Sequence, residues 1–165
     1  MREKLYHANS MKSILILHDI RSAHNVGSLF RTADAVGIDQ IYLSSICPLP
    51  IDRFGRPRAD IAKTALGAQL SVPWESYDDI HILLGSLRKE KVQIIAIEQS
   101  SEAVDYKTIT PSNTIAFILG NEVVGLSSDI LKQTDVVAEI SMKGEKESLN
   151  VAVAGGIALA RILNI

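Results

Sequence analysis

Thr114-Ile-Ala-Phe-Ile-Leu-Gly-Asn-Glu-Val-Val-Gly-Leu126 sets an uncharged, β-branched run directly against a polar loop flanked by glycines. Thr114 to Leu119 reads as a strand covered on both faces, because nothing in it alternates with charge. The run stops at Gly120, where the missing side chain lets a ligand approach the main chain. Glu122 follows, where a carboxylate can orient a hydroxyl, anchor an arginine, or simply stand on a structural turn. Gly125 then permits a positive φ before the next helix.

Runs of the same kind recur at 14–17, 41–43, 70–72, 92–97 and 136–140. Helical patterns separate them near 25–37, 59–66, 78–90, 127–133 and 148–163. Strands interleaved with helices predict an α/β domain with a mainly parallel sheet and helices on both faces. Ligands of such sheets sit beyond the carboxyl ends of the strands. The loops after Leu17, Ile97, Leu119 and Met142 are therefore the places for a site. At 165 residues the chain has room for one domain, read as 14–165 behind a short polar arm at 1–13.

Composition narrows the function classes. With 47% hydrophobic and 22% charged residues, the chain is neither disordered, collagenous nor a coiled coil. A single cysteine, Cys47, excludes an internal disulfide framework and every multi-cysteine zinc pattern. The apolar stretch at 151–163 is too short to span a membrane and is broken by Gly155, Gly156 and Arg161. No basic leader precedes an apolar run, so a cytoplasmic protein without membrane association is expected. The four histidines show no ligand spacing, and no metal is expected. A G-x-G-x-x-G fingerprint, a complete phosphate loop and a G-x-S-x-G elbow are all missing. Charge is uneven: residues 1–63 carry nine Lys/Arg against six Asp/Glu, and 64–165 carry eight against thirteen. A polyanion would meet the first third.

Two helices carry further information. At about 100° per residue, Val26, Leu29, Phe30, Ala33 and Val36 share one stripe of the first, and Arg31 lies roughly opposite. Arg31 therefore points to solvent, a partner subunit or a substrate. The last helix is apolar nearly all round, so it is buried on more than one face, and a two-fold homodimer is the expected arrangement.

The segment 18–33 joins the first strand to the first helix. Within it Asn25 can cap the helix and Gly27 allows close backbone approach. The segment 140–151 enters a charged loop from a strand. There Ser148 is a candidate N-cap, and Asn150 in the first helical turn is costly unless its amide is used.

Together these segments resemble the SpoU/TrmH family of S-adenosylmethionine-dependent RNA ribose 2′-O-methyltransferases, within the knotted SPOUT superfamily. Asn25, Gly27, Arg31, Thr32 and Ala33 match its first motif. Gly120, Asn121, Glu122 and Gly125 match the second. Ile140, Met142, Gly144 and Ser148 to Val151 match the third. Gly67-Ala68 and Val72-Pro73-Trp74 are also similar to the family between the first two motifs. The likeness covers about residues 13–165.

The resemblance implies a C-terminal trefoil knot and S-adenosylmethionine as cofactor, held by Ile97, Gly120, Ile140, Met142 and Leu149. It implies Arg31 as the catalytic arginine, acting as general base or as a clamp on phosphate. Glu122, Asn150, Asn25 and Ser148 complete the catalytic set. Arg21, Arg53, Arg56 and Arg58, with Arg2, Lys4 and Lys12, are the candidates for RNA phosphate, and Phe54 could stack on a base. Ribosomal RNA members commonly carry an extra N-terminal domain, so transfer RNA is the expected substrate and ribosomal RNA the alternative. A non-catalytic RNA-binding module and a nucleotide-binding oxidoreductase are the rival classes.

Overall fold

The β-branched runs become strands buried on both faces. A computed structural model describes residues 11–165. Its strands are β1 (Lys12–His18), β2 (Gln40–Ser44), β3 (Trp74–Tyr77), β4 (Gln93–Ile97), β5 (Val104–Asp105), β6 (Thr114–Leu119) and β7 (Val136–Glu139). They form one sheet in the order β3-β2-β1-β6-β4-β7-β5, and every pairing in it is parallel. Alternation sorts the side chains. Leu15, Leu17, Ile95, Phe117 and Leu119 pack beneath α1 (Ala23–Val36), α2 (Ala59–Ala65) and α6 (Val151–Ile162). Ile14, Ile16, Ile94, Ala116 and Ile118 pack beneath α4 (Ile80–Lys89) and α5 (Ser128–Leu131). The sheet thus has helices on both faces, as the interleaved pattern predicts.

Local chemistry sets the helix ends. Ser22 caps α1, its Oγ accepting from the Asn25 N–H at 3.2 Å, and Gly37 ends it in the left-handed region at φ 77°. Val26, Leu29, Phe30 and Ala33 are buried as their spacing requires, while Arg31 is exposed.

Two details differ from the sequence reading. Residues 70–72 do not form a strand: Ala68–Ser71 is one helical turn, α3, opened by Gly67 at φ 98°. The ladder starts only after Pro73, which has no N–H to give it; its carbonyl accepts from the Ile41 N–H at 2.9 Å. Lys12 and Ser13, assigned to the polar arm, pair with Thr114 and Ile115 in β1. Arg2 and Lys4 lie outside the described residues.

From β1 the chain runs to β2 and β3 on one side, then crosses to β4 and β5 on the other. That reversal opens a crevice at the carboxyl ends of the central strands. After β7 the chain returns to place α6 against α1. A Cβ on Gly155 would lie 2.8 Å from both Leu119 Cδ1 and Leu29 Cδ2, so the glycine sets the closeness of that contact. The return path fits the knot that the resemblance implies.

Candidate active site

The loop after β6 folds back on its own strand. A Cβ on Gly120 would meet Leu126 Cγ at 2.7 Å and the Gly125 carbonyl carbon at 2.8 Å. The missing side chain therefore makes room for the returning loop rather than for a ligand. Gly125, at φ 66°, makes the left-handed turn that the sequence suggests. Asn121 is buried and staples the loop: its Oδ1 accepts from the Val123 and Val124 N–H groups at 2.9 and 3.0 Å, and its Nδ2 donates to the Asp19 carbonyl. Glu98 secures the other side, accepting from the Leu126 N–H at 2.9 Å and the Gln99 N–H at 2.9 Å. Sequence reasoning missed Glu98 and the stapling amide, because a polar residue after a strand carries no mark of its partner.

Glu122 aims its carboxylate at the start of α1. It accepts from the Arg21 N–H at 3.1 Å, the Ser22 N–H at 3.0 Å and Asn25 Nδ2 at 3.0 Å. The partner from Arg21 is its main chain, not a guanidinium. Partial burial works against ionisation, but the hydrogen bonds from Asn25, Arg21 and Ser22 outweigh it and hold the carboxyl below its usual range. Asn25 is then not a cap. Its Oδ1 accepts from Asn150 Nδ2 at 3.1 Å. Asn150, rather than Ser148, caps α6, its Oδ1 accepting from the Ala152 and Val153 N–H groups at 2.9 and 3.4 Å. Asparagine outranks alanine strongly at this position because it satisfies donors the helix leaves free. One hydrogen-bonded line, Glu122–Asn25–Asn150, thus joins all three motifs.

These groups border a cavity of about 520 Å³ at the carboxyl ends of β4, β6 and β7. Asn25, Glu122, Ser148 and Asn150 supply polar lining; Ile97, Ile140, Met142 and Leu149 supply apolar walls; Gly120 forms part of its border. Nine of the ten catalytic and cofactor residues expected from sequence therefore meet in one place. The tenth, Arg31, does not: it stands exposed on the outer face of α1. The described lining holds two carboxylates, Glu98 and Glu122, and no lysine or arginine.

Arg53, Arg56 and Arg58 gather at a second cleft of about 620 Å³, with Phe54 and Cys47. Cys47 is bonded to the end of β1, its Sγ 3.1 Å from both the Ile20 N–H nitrogen and the Leu17 carbonyl oxygen. Burial pushes its thiol up to about 12, so it is neutral here and serves packing. Among the described residues no three His, Cys, Asp or Glu gather as a metal site, and no helix is long and apolar enough to cross a membrane.

The family model described as the SpoU rRNA Methylase family matches residues 12–160. The 23S rRNA (guanosine-2′-O-)-methyltransferase RlmB of Neisseria meningitidis serogroup B is 31% identical over 147 residues, 89% of this chain and 56% of that protein. Among solved structures, the AdoMet-bound rRNA methyltransferase from Sinorhizobium meliloti superposes with a TM-score of 0.82 at 26% identity, covering 96% of this chain and 58% of that one. The TrmH/SpoU tRNA modifying enzyme of A. aeolicus gives 0.81 at 26% identity, covering 94% and 76%. The chain spans just over half the length of the curated relatives it matches.

Proposed function

The chain belongs to the SpoU rRNA Methylase family, and on that premise we propose that it transfers a methyl group from S-adenosylmethionine to a ribose 2′-hydroxyl of RNA. The observation that carries this reading is the convergence of three motifs, up to 125 positions apart, on one cleft through Glu122, Asn25 and Asn150. The residues present fit the donor. The cavity has the volume of a small-molecule site. Its apolar walls suit an adenine and a thioether chain, and its two carboxylates suit a sulfonium cation. The same carboxylates disfavour a pyrophosphate, which argues against the oxidoreductase reading.

The donor, when bound, supplies an already activated methyl group. What is left to the protein is alignment of the ribose hydroxyl, which can lower a barrier by several kcal/mol, and management of its proton. Glu122 fixes the start of α1, and Asn25 and Asn150 fix the start of α6, so the walls on either side are held in register. Ser148 opens toward the cleft from the loop before α6. Arg31 is supplied by a second copy across a two-fold axis. Val153 and Ile157 support this, for they are 49% and 38% exposed one four-residue step apart, two apolar side chains on the same side of α6. A guanidinium keeps its proton in proteins, so Arg31 acts as a bidentate clamp on phosphate whose charge stabilises the developing alkoxide. A single-chain mass in light scattering would contradict the dimer.

Residues 12–165, with Lys12 and Ser13 counted in β1 rather than in the arm, form the methyltransferase unit, and Arg21, Arg53, Arg56 and Arg58 meet RNA phosphate. The RlmB relatives, by name, act on 23S rRNA, the Staphylococcus aureus relatives are named for tRNA or rRNA, and the A. aeolicus neighbour for tRNA, so the transfer-RNA preference expected from sequence has no lead over the ribosomal one. Work on RNA goes with the cytoplasmic location expected from sequence. The test is incubation with methyl-labelled donor and purified rRNA or tRNA. Label should appear on a ribose 2′-oxygen, and Arg31→Ala should lower the rate about 10²–10³-fold with donor affinity unchanged. Undiminished turnover in that variant, or failure of the parent to bind donor, would overturn the reading.

A further inference from the structure

A hairpin follows β2 on the same carboxyl edge of the sheet, outside the donor cleft. Ile51 and Pro57 bridge antiparallel, the Asp52 N–H donates to the Arg56 carbonyl at 2.8 Å, and Gly55 turns the tip at φ 76°. Asp52 fixes the shape. Its carboxylate accepts from the Phe54 N–H at 2.8 Å, the Arg56 N–H at 3.0 Å and Arg56 Nε at 2.8 Å. These bonds, the Arg56 N–H foremost, hold its carboxyl below the usual range. The result is a phenyl ring standing out from the tip, 66% exposed.

Two guanidiniums flank that ring, Arg53 at 4.7 Å and Arg56 at 5.0 Å from its centroid. They differ in freedom. Arg56 is tied to Asp52 at 2.8 Å, whereas Arg53 has no acidic partner among the described residues. Arg53 can therefore leave the ring for a phosphate when something flat takes its place. The hairpin is also anchored: Cys47, just before it, is bonded to Leu17 and Ile20, and the next N–H groups along, those of Arg21 and Ser22, reach Glu122 in the donor cleft. One connected edge thus carries both features.

We propose that Phe54 is a base-stacking finger that takes an unpaired nucleobase of the RNA, with Arg53 on the adjoining phosphate, so that the substrate is single-stranded beside its target ribose. The last clause rests on the methyltransferase reading of the cleft; the stacking itself does not. An exposed ring gains from a base because every base has a π-face, and cationic neighbours favour a polyanion over a neutral partner. A duplex keeps its base faces covered by one another, which leaves Phe54 nothing to stack on.

The test uses the full chain, a short fluorescein-labelled oligoadenylate and a perfectly paired RNA duplex, read by fluorescence anisotropy. Phe54→Ala should weaken oligoadenylate binding on the order of tenfold, Phe54→Trp should restore it, and duplex binding should not move. Arg53→Gln should reduce the slope of log affinity against log salt by about 0.7. Phe54→Ala binding oligoadenylate as tightly as the parent would overturn the proposal. So would equal weakening toward the duplex, or a change in the mass of the assembly at unaltered RNA affinity, which marks a protein-docking surface instead. None of these readouts needs donor or turnover, so failure of the finger and failure of the methyltransferase reading are separable.

Discussion

Glu122 holds three donors from the opening of α1 with one carboxylate, and its ionisation state therefore sets the geometry of the cleft. Its folded-state pKa is depressed. The stability it contributes is accordingly complete above the usual glutamate range, about pH 4.3, and is lost as pH falls through the lower folded value. Glu122→Gln keeps the size but sets an amide N–H₂ against N–H donors. The variant should melt roughly 2–4 °C below the parent, the equivalent of about 1 kcal/mol in a chain this size. Thermal melts from pH 8 downward should show that gap constant to about pH 5 and closing in more acid solution. A gap that widens in acid would contradict the assignment. At this scale the sequence was most legible where a residue is unusual in its place, such as Asn150 at the start of an apolar helix. It was least legible for Glu98 and Asn121, whose partners are main-chain groups that no pattern marks.

The helices show how far periodicity reaches. The 100° stripe of α1 identifies its buried face and its exposed Arg31 correctly. The apolar last helix packs closely through one glycine and not through its neighbour. A methyl at Gly155 would press on Leu119 and Leu29, both buried, whereas the nearest atom to a methyl at Gly156 is Thr32 Cγ2 at 3.9 Å. Replacing a helical glycine by alanine gains up to about 1 kcal/mol of propensity, and overpacking costs about 1–3 kcal/mol. Gly156→Ala should therefore raise the urea midpoint and Gly155→Ala should lower it. The reverse order would show that α6 does not lie as described. The failed strand at 70–72 has the complementary lesson. β-branched and apolar content alone did not register that Gly67 and Pro73 delimit a turn, and that pairing begins where N–H groups return.

For the whole molecule, the uncharged runs announced a parallel sheet, since only burial on both faces tolerates them. Strand order and the return of α6 against α1 were not legible from periodicity, because pattern is local and chain path is not; the family resemblance supplied the expectation of a knot. Charge divides between the two proposed sites. The Phe54 hairpin lies in the basic first third, and most of the donor cleft is drawn from the acidic remainder. The central claim is that the carboxyl ends of β4, β6 and β7 hold the methyl donor, and methionine reports on it directly. The chain has three, of which Met142 lines the cleft while Met11 packs against the core below α1. In a spectrum of the ¹³C-methyl-labelled protein, titration with S-adenosylmethionine should shift the Met142 signal to saturation and leave Met11 in place. A Met142 signal that does not move through the titration would contradict the account.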